Sequence, residues 1–293
     1  MLSQIIWNPD IEAFRIGSFA IRWYSICWCI GLALAYFIVA KLYKQQRIPQ
    51  EKFDPLFLYC FVGILVGARL GHCLFYEPSY FLSHPLEMIL PIRFTPGGWH
   101  FTGYAGLASH GGTIGLMIAL WLYVRKTKVN ILRVLDNIAI ATPFTACFIR
   151  IGNLMNSEIV GKPTQSVLGF VFVHNHESFP RYPAQLYEAL AYFVIGVIGL
   201  LVYSNSYRKK GLANNVGTGF YFGFCLTTIF LFRFFIEMLK EVQEPWEQAM
   251  EAAIGLNQGQ LLSIPFIIIG LYFMLDGKYC RKLAQNDSYK PKE

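Results

Sequence analysis

Arg69, Arg150, Arg233 and His110 each sit within or at the end of an apolar run of this 293-residue chain, and Glu188 and Glu237 lie near the ends of apolar runs, Glu237 in the same run as Arg233. Ionisable groups at membrane depth are costly and usually face a cavity or a partner. Arginine stays charged in a low dielectric, and its planar fork of donors matches a phosphate. Three arginines at similar depth therefore point to a polar site for an anionic head group. His110 lies between Ser109 and Gly111-Gly112. Its ordinary pKa suits proton transfer near neutrality, and the glycines let another chain or a ligand approach closely. Purely structural readings stay open beside these. Arg69 could join helices by pairing with Glu188 or Glu237. Arg233 and Glu237, at i and i+4, could pair within one helix. His110 could simply bond a backbone carbonyl.

The densest polar stretch runs from Arg150 to Thr164. It offers a guanidinium, the amides of Asn153 and Asn156, the Glu158 carboxylate, and Gly152 and Gly161. As a solvated loop it would be ordinary; directly after an apolar run it reads as a head-group binding loop. The stretch Arg181 to Glu188 enters the next apolar run with Gln185 and Glu188 at i and i+3, on one helix face. Tyr24 opens the first apolar run.

The elements that must position these groups follow from composition. Hydrophobic residues make up 55% of the chain and charged residues 15%, against about 25% charged in soluble domains. A soluble surface could not be covered with so few charges, so the expectation is an all-α integral membrane protein. A spanning helix needs about 20 mostly apolar residues, and seven segments qualify: 23–40, 55–76, 101–124, 134–149, 184–203, 216–239 and 256–275. The fourth is short and holds Asp136 and Pro143. The runs lack the alternation of barrel strands, and only helices or closed barrels satisfy their backbone in lipid. The first fifteen residues carry Asp10 and Glu12 and lack a basic start, so no cleavable signal peptide is expected. The seven cysteines are unpaired by pattern and read as small apolar side chains.

Orientation comes from the basic residues. Lys41, Lys44, Arg47 and Lys52, then Arg125, Lys126, Lys128 and Arg133, then Arg208 to Lys210, and finally Lys278, Arg281, Lys282, Lys290 and Lys292 all fall on one side. The positive-inside bias makes that side cytoplasmic, with the N-terminus outside and the C-terminus inside. The same bias explains the net charge of +7 without nucleic acid. Counting rise along each segment puts Arg69, Arg150 and Arg233 about 21, 24 and 26 Å above the inner edge, and His110 about 14 Å below the outer edge. The chain reads as one polytopic membrane domain over 1–293, with an outer loop or cap at about 150–183. The Pro-Gly-Gly at 96–98 marks a turn.

These stretches resemble the prolipoprotein diacylglyceryl transferase family. The likeness runs in order through Trp23-Tyr24, Gly67 to Gly71, Ser109 to Gly112, Arg150 to Gly161, Pro183 to Glu188, Arg233 to Glu237 and Gly259 to Pro265. It implies seven helices in a bacterial inner membrane, with the active site toward the outer leaflet. It implies transfer of the diacylglyceryl group of phosphatidylglycerol to the lipobox cysteine in a prolipoprotein signal peptide, with glycerol 1-phosphate leaving. The family's two essential arginines match Arg150 and Arg233, and its histidine matches His110. Tyr24, Asn153, Glu158, Gly161 and Glu237 match residues associated with activity. The chain departs from the family pattern at Ile229 and His72, where tyrosine is common, and at Lys240-Glu241-Val242-Gln243, where Arg-x-Pro-Asp is usual.

For that reaction the expected catalytic set is His110, Arg150, Arg233, Tyr24, Glu158 and Glu237. Arg150, Asn153, Asn156, Gly161, Gln185 and Arg69 are expected to bind phosphatidylglycerol. The arginines stabilise the departing phosphate, and His110 takes the thiol proton, with Glu158 or Glu237 orienting it or acting instead. The bond broken is carbon–oxygen rather than phosphorus–oxygen, and the sequence has no metal-ligand cluster, so neither metal nor cofactor is expected. The competing class is a lipid or anion transporter, which would carry polar residues through the inner half or an internal repeat.

Overall fold

The computed structural model describes residues 4–17, 19–101, 106–210, 216–241 and 245–275. In chain order they form β1 (Ile5–Trp7), β2 (Glu12–Ile16), β3 (Phe19–Arg22), α1 (Trp23–Gln45), α2 (Gln50–Phe75), α3 (Pro78–Ser83), α4 (Pro85–Ile89), β4 (Ile92–Thr95) and β5 (Gly98–Phe101). They continue with α5 (Ser109–Thr127), α6 (Ile131–Met155), β6 (Phe170–Phe172), α7 (Ala184–Lys210), α8 (Phe220–Ile236), α9 (Pro245–Ile254) and α10 (Gln258–Met274). The protein is mostly helical, and among the described residues the strands form three two-stranded pieces. Among the described residues, five stretches are long and apolar enough to cross a membrane: Trp23–Gln45, Gln50–Phe75, Ile131–Met155, Ala184–Tyr207 and Phe220–Leu239. The other two segments marked by the sequence correspond to α5, with 19 residues, and α10, with 17. The basic tail beyond residue 275 and Cys280 lie outside the described residues.

The chain forms two compact units, residues 47–131 and residues 1–46 with 132–293. In the first, α2 and α5 meet along small residues. Gly63, Gly67 and Gly71 face Gly111, Gly115 and Ala119, and a Cβ on Gly67 would lie 2.4 Å from the Gly111 carbonyl oxygen. Where lipid removes the hydrophobic drive between helices, this approach lets dispersion and backbone contacts hold them.

Two boundaries in this unit differ from the sequence reading. The third apolar segment was expected to turn helical from residue 101, but Gly98–Phe101 pairs antiparallel with Ile92–Thr95 across the Pro-Gly-Gly turn. Residues 102–105 lie outside the described residues. Gly106 then adopts φ +78, and a Cβ there would overlap the His72 ring. The Ala108 amide donates to the Ala68 carbonyl at 2.9 Å, and α5 begins at Ser109. His110 is therefore in the first turn of α5, not well down a helix.

Arg69 ties α3 and α4 to α2. Its Nη2 donates to the Glu87 carbonyl at 2.6 Å and its Nε to the Met88 carbonyl at 3.3 Å, while the guanidinium covers the Phe81 ring at 4.8 Å. The Glu87 carboxylate accepts from Tyr80 Oη at 2.6 Å and from the Phe94 amide at 2.8 Å. These bonds hold the Glu87 carboxyl below the usual carboxylate range.

The larger unit holds α1, α6, α7, α8 and α10. Thr145 Oγ1 of α6 donates to the Gly31 carbonyl of α1 at 3.0 Å. Asp136, anomalous in an apolar run, accepts from the amides of Gly217, Gly219 and Phe222 at 2.8, 3.0 and 2.9 Å. It thus satisfies the orphan donors at the start of α8. Gly223 of α8 lies against the Gly270 carbonyl of α10. Gln46 closes the end of α1 onto α6, accepting from Arg133 Nη1 at 2.8 Å and exchanging amide bonds with Asn137. Large side chains such as Phe37, Leu201 and Ile268 remain exposed on the helices, as expected of surfaces that face lipid.

Residues 157–183 form an ordered cap over the end of α6. β6 pairs in parallel with β1, and Leu154, Phe170 and Phe172 form a cluster against Trp7 and Leu186. Trp7 Nε1 donates to the Leu154 carbonyl at 2.9 Å. Arg181 joins the cap to the end of α8, pairing with Glu177 and, at 2.7 Å, with Glu241. Both carboxylates raise its pKa, Glu177 most.

Candidate active site

The site is built where α6, α7, α8 and α10 end near the cap. The fourth apolar segment was expected to stop at residue 149, with Arg150 opening a loop. In the structure α6 continues to Met155, because Ile151, Leu154 and Met155 extend the helical apolar spacing past the two polar positions. Arg150 and Asn153 therefore share one helical face, and Arg150 Nη1 donates to Asn153 Oδ1 at 3.4 Å. A rigid helix aims both groups more accurately than a loop would.

The chain then reverses sharply. Ser157 and Ile159 have φ +56 and +57. A β-branched residue in that region costs about 1–3 kcal/mol, and such strain persists only where surroundings fix it. The fixing contacts are visible. Asn153 Nδ2 donates to Glu158 Oε1 at 2.7 Å and Asn156 Nδ2 to the same oxygen at 3.4 Å. Gln185 Nε2 of α7 donates to the Glu158 carbonyl at 2.5 Å. Gly161 has no room for a side chain, since a Cβ would lie 2.6 Å from the Tyr182 carbonyl oxygen and 2.8 Å from that of Leu239. Its amide donates to Tyr182 at 2.9 Å, and it bridges to Lys240. Tyr24, at the start of α1, packs its ring on Gly152, between Arg150 and Asn153 in sequence.

Charges alternate across the site. Glu188 on α7 is fully buried; its Oε2 lies 3.1 Å from Arg150 Nε, and its Oε1 accepts from Lys240 Nζ at 3.1 Å and Tyr192 Oη at 3.2 Å. Glu237 Oε1 accepts from Lys240 Nζ at 3.0 Å and lies 3.3 Å from Arg233 Nε. The order is Arg150, Glu188, Lys240, Glu237, Arg233, so three cations and two carboxylates leave one positive charge unmatched. α10 supports it from below. Asn257 and Gln260 form a capping box, Asn257 Nδ2 donates to the Glu237 carbonyl at 3.1 Å, and Gly259 leaves room for the Glu237 carboxylate.

These groups surround a pocket of about 250 Å³ whose lining includes Arg150, Arg233, Lys240, Glu237, Ile159 and Leu262. Glu241, also at its wall, shares Arg181 with Glu177. An anion entering there would meet guanidinium groups from two helices.

Thus the structure brings Arg150, Arg233, Glu237, Asn153, Asn156, Glu158, Gly161, Gln185 and Tyr24 together in the larger unit. His110 lies exposed on α5 of the other unit, as Arg69 lies on α2. The i and i+4 pairing of Arg233 with Glu237 exists, but as one link of a longer chain of charge. Sequence reasoning set Glu188 beside the cavity without a role of its own and met Lys240 only as a departure from the family pattern. The available signal was a single lysine three residues after Glu237, on the side where acids otherwise gather.

A family model described as prolipoprotein diacylglyceryl transferase matches residues 11–275. A Bacteroides fragilis protein named phosphatidylglycerol–prolipoprotein diacylglyceryl transferase is 56% identical over 275 residues, covering 94% of this chain and 95% of that one. Proteins of the same name are 42% identical in Tolumonas auensis, covering 93% and 97%, and 41% identical in Porphyromonas gingivalis, covering 92% and 94%. With its apolar helices and a cationic pocket at their ends, the chain belongs to the prolipoprotein diacylglyceryl transferase family.

Proposed function

We propose that this protein transfers the diacylglyceryl group of phosphatidylglycerol to the thiol of the lipobox cysteine in a prolipoprotein signal peptide. The observation that carries this reading is the convergence of Arg150, Lys240 and Arg233 on one pocket, where their donors can meet the anionic phosphodiester.

In the proposed reaction the thiol proton passes to a base and the thiolate attacks the glycerol carbon that carries the phosphate. A carbon–sulfur bond forms, the carbon–oxygen bond breaks, and the electron pair leaves with the phosphate oxygen as glycerol 1-phosphate. Arg150 and Arg233 stabilise that departing charge through donors already in place. Asn153 holds Arg150 and Glu158, Asn156 and Gln185 fix the loop, and Gly161 keeps the cap close to Lys240. His110, in the first turn of α5 and followed by two glycines, is the assigned base. Tyr24 positions the head group beside Gly152. Arg69, held by two carbonyls, serves the reaction by fixing the α3–α4 region rather than by touching phosphate.

The proposed setting is a bacterial inner membrane crossed seven times by one polytopic domain, capped at about 150–183. The N-terminus lies outside, the C-terminus is cytoplasmic, and the site faces the outer leaflet. The five long apolar helices and the charge bias of the loops support this arrangement. Purified protein mixed with phosphatidylglycerol and a lipobox peptide tests the reading. A diacylglyceryl mass gain on the peptide cysteine is expected; movement of lipid without peptide modification would instead indicate a transporter.

A further inference from the structure

We propose that Lys240 is a positioning residue of this site, holding Glu188 and Glu237 so that Arg150 and Arg233 keep their positive potential for a phosphodiester. The inference rests on the reading of the pocket as a phosphatidylglycerol site.

Lys240 follows the single 3-10 turn Glu237–Leu239, which ends α8 and carries the lysine back toward the helix bundle. Its side chain is 7% exposed, and its ammonium donates both to Glu188 Oε1 at 3.1 Å and to Glu237 Oε1 at 3.0 Å. Each carboxylate also faces one arginine, Arg150 for Glu188 and Arg233 for Glu237. A lysine between two acids shared with two arginines controls how strongly each acid draws on its arginine. Remove the ammonium, and both acids turn wholly on Arg150 and Arg233. A phosphodiester then meets a weaker positive potential at the two guanidinium groups.

The geometry favours this division of labour. Glu188 Oε2, although 3.1 Å from Arg150 Nε, has no hydrogen-bond partner of its own and is buried. The contact is thus a charge contact without hydrogen-bond alignment, so Arg150 can turn toward a phosphate. Glu188 Oε1, by contrast, has two aligned donors in Lys240 Nζ and Tyr192 Oη. The acid is anchored by Lys240 and only balanced by Arg150. The antiparallel bridge between Gly161 and Lys240 fixes the lysine backbone to the cap, so its ammonium is aimed by a bonded main chain.

Lys240→Met and Lys240→Arg, with Lys240→Met combined with Glu188→Gln, test this in the full-length protein. The groups facing the two acids are Lys240, Arg150, Arg233 and Tyr192. Lys240→Met should raise KM for phosphatidylglycerol about 10- to 100-fold, the cost of one charge-assisted bond. Its kcat should change less than its KM. Lys240→Arg should return most of the loss, and the double variant should recover part of it. Native mass spectrometry of bound phosphatidylglycerol should follow the same order. Wild-type kinetics in Lys240→Met overturn the proposal. So does a loss that follows melting temperature alone, with no rescue by Glu188→Gln. Absence of transfer by the wild-type protein would instead defeat the reading of the pocket itself.

Discussion

Glu188 Oε2 stands 3.1 Å from Arg150 Nε, and the acid has no exposed surface while 15% of the arginine side chain remains open. The two come from α6 and α7, and of the pair it is Arg150 that lines the pocket. Arg150 thus has two tasks: its Nε balances a buried acid while its Nη1 meets Asn153.

A lysine cannot perform both. Arg150→Lys keeps the charge but loses the planar fork. The variant should insert and melt close to the parent protein, because one cation still balances Glu188. Its transfer rate should fall at least about 100-fold, the usual cost of removing a preorganised donor from developing negative charge. Peptide lipidation measured by mass spectrometry decides this, and a rate within a few fold of the parent would remove Arg150 from its assigned role.

Much of this architecture was legible from residue order. Trp23 begins α1 as the first apolar run implied, and the Pro-Gly-Gly turn joins β4 to β5. The gathering of Arg150, Arg233 and Glu237 could be inferred from depth alone. The end of α6 could not, because Arg150 and Asn153 look like loop residues until the apolar partners Ile151, Leu154 and Met155 are seen to share a helix with them. The start of α5 was hidden by apolar residues that belong to a hairpin. Lys240 was hidden most deeply. Only the 3-10 turn after α8 brings its ammonium to Glu188, and no local pattern reports a contact across 52 positions.

His110 gives a kinetic prediction. Placed in the first turn of α5 and exposed, it is free of the α2–α5 packing that the glycines provide. His110→Gln should therefore leave the melting temperature nearly unchanged. If the imidazole takes the thiol proton, the rate should fall about 100- to 10,000-fold, and the limb of the pH–rate profile that reports its titration should vanish. An unchanged profile at near-normal rate assigns the proton to another group.

The glycine contacts predict a different failure. In Gly67→Ala the new methyl would meet the Gly111 carbonyl and the Gly115 Cα, both backbone atoms. Backbone cannot turn aside as a side chain can, so α2 and α5 must separate. Overpacking of this kind costs about 1–3 kcal/mol. A lower melting temperature in detergent is expected, with a smaller effect in Gly97→Ala, where a Cβ would meet nothing within 4 Å.

Acid should release the region fixed by Arg69. Glu87 is held ionised by Tyr80 Oη and the Phe94 amide, so its folded pKa lies below the ordinary value. A depressed carboxyl pKa adds stability above the unfolded value of about 4.3 and loses it as pH falls through the folded value. Glu87→Gln removes the charge but keeps much of the shape. The variant should melt lower than the parent protein at pH 7, and the gap should close as pH falls from about 4.3 through the depressed folded value. A gap independent of pH would mean that Glu87 acts through packing, and the Tyr80 and Phe94 bonds would then hold a neutral acid equally well.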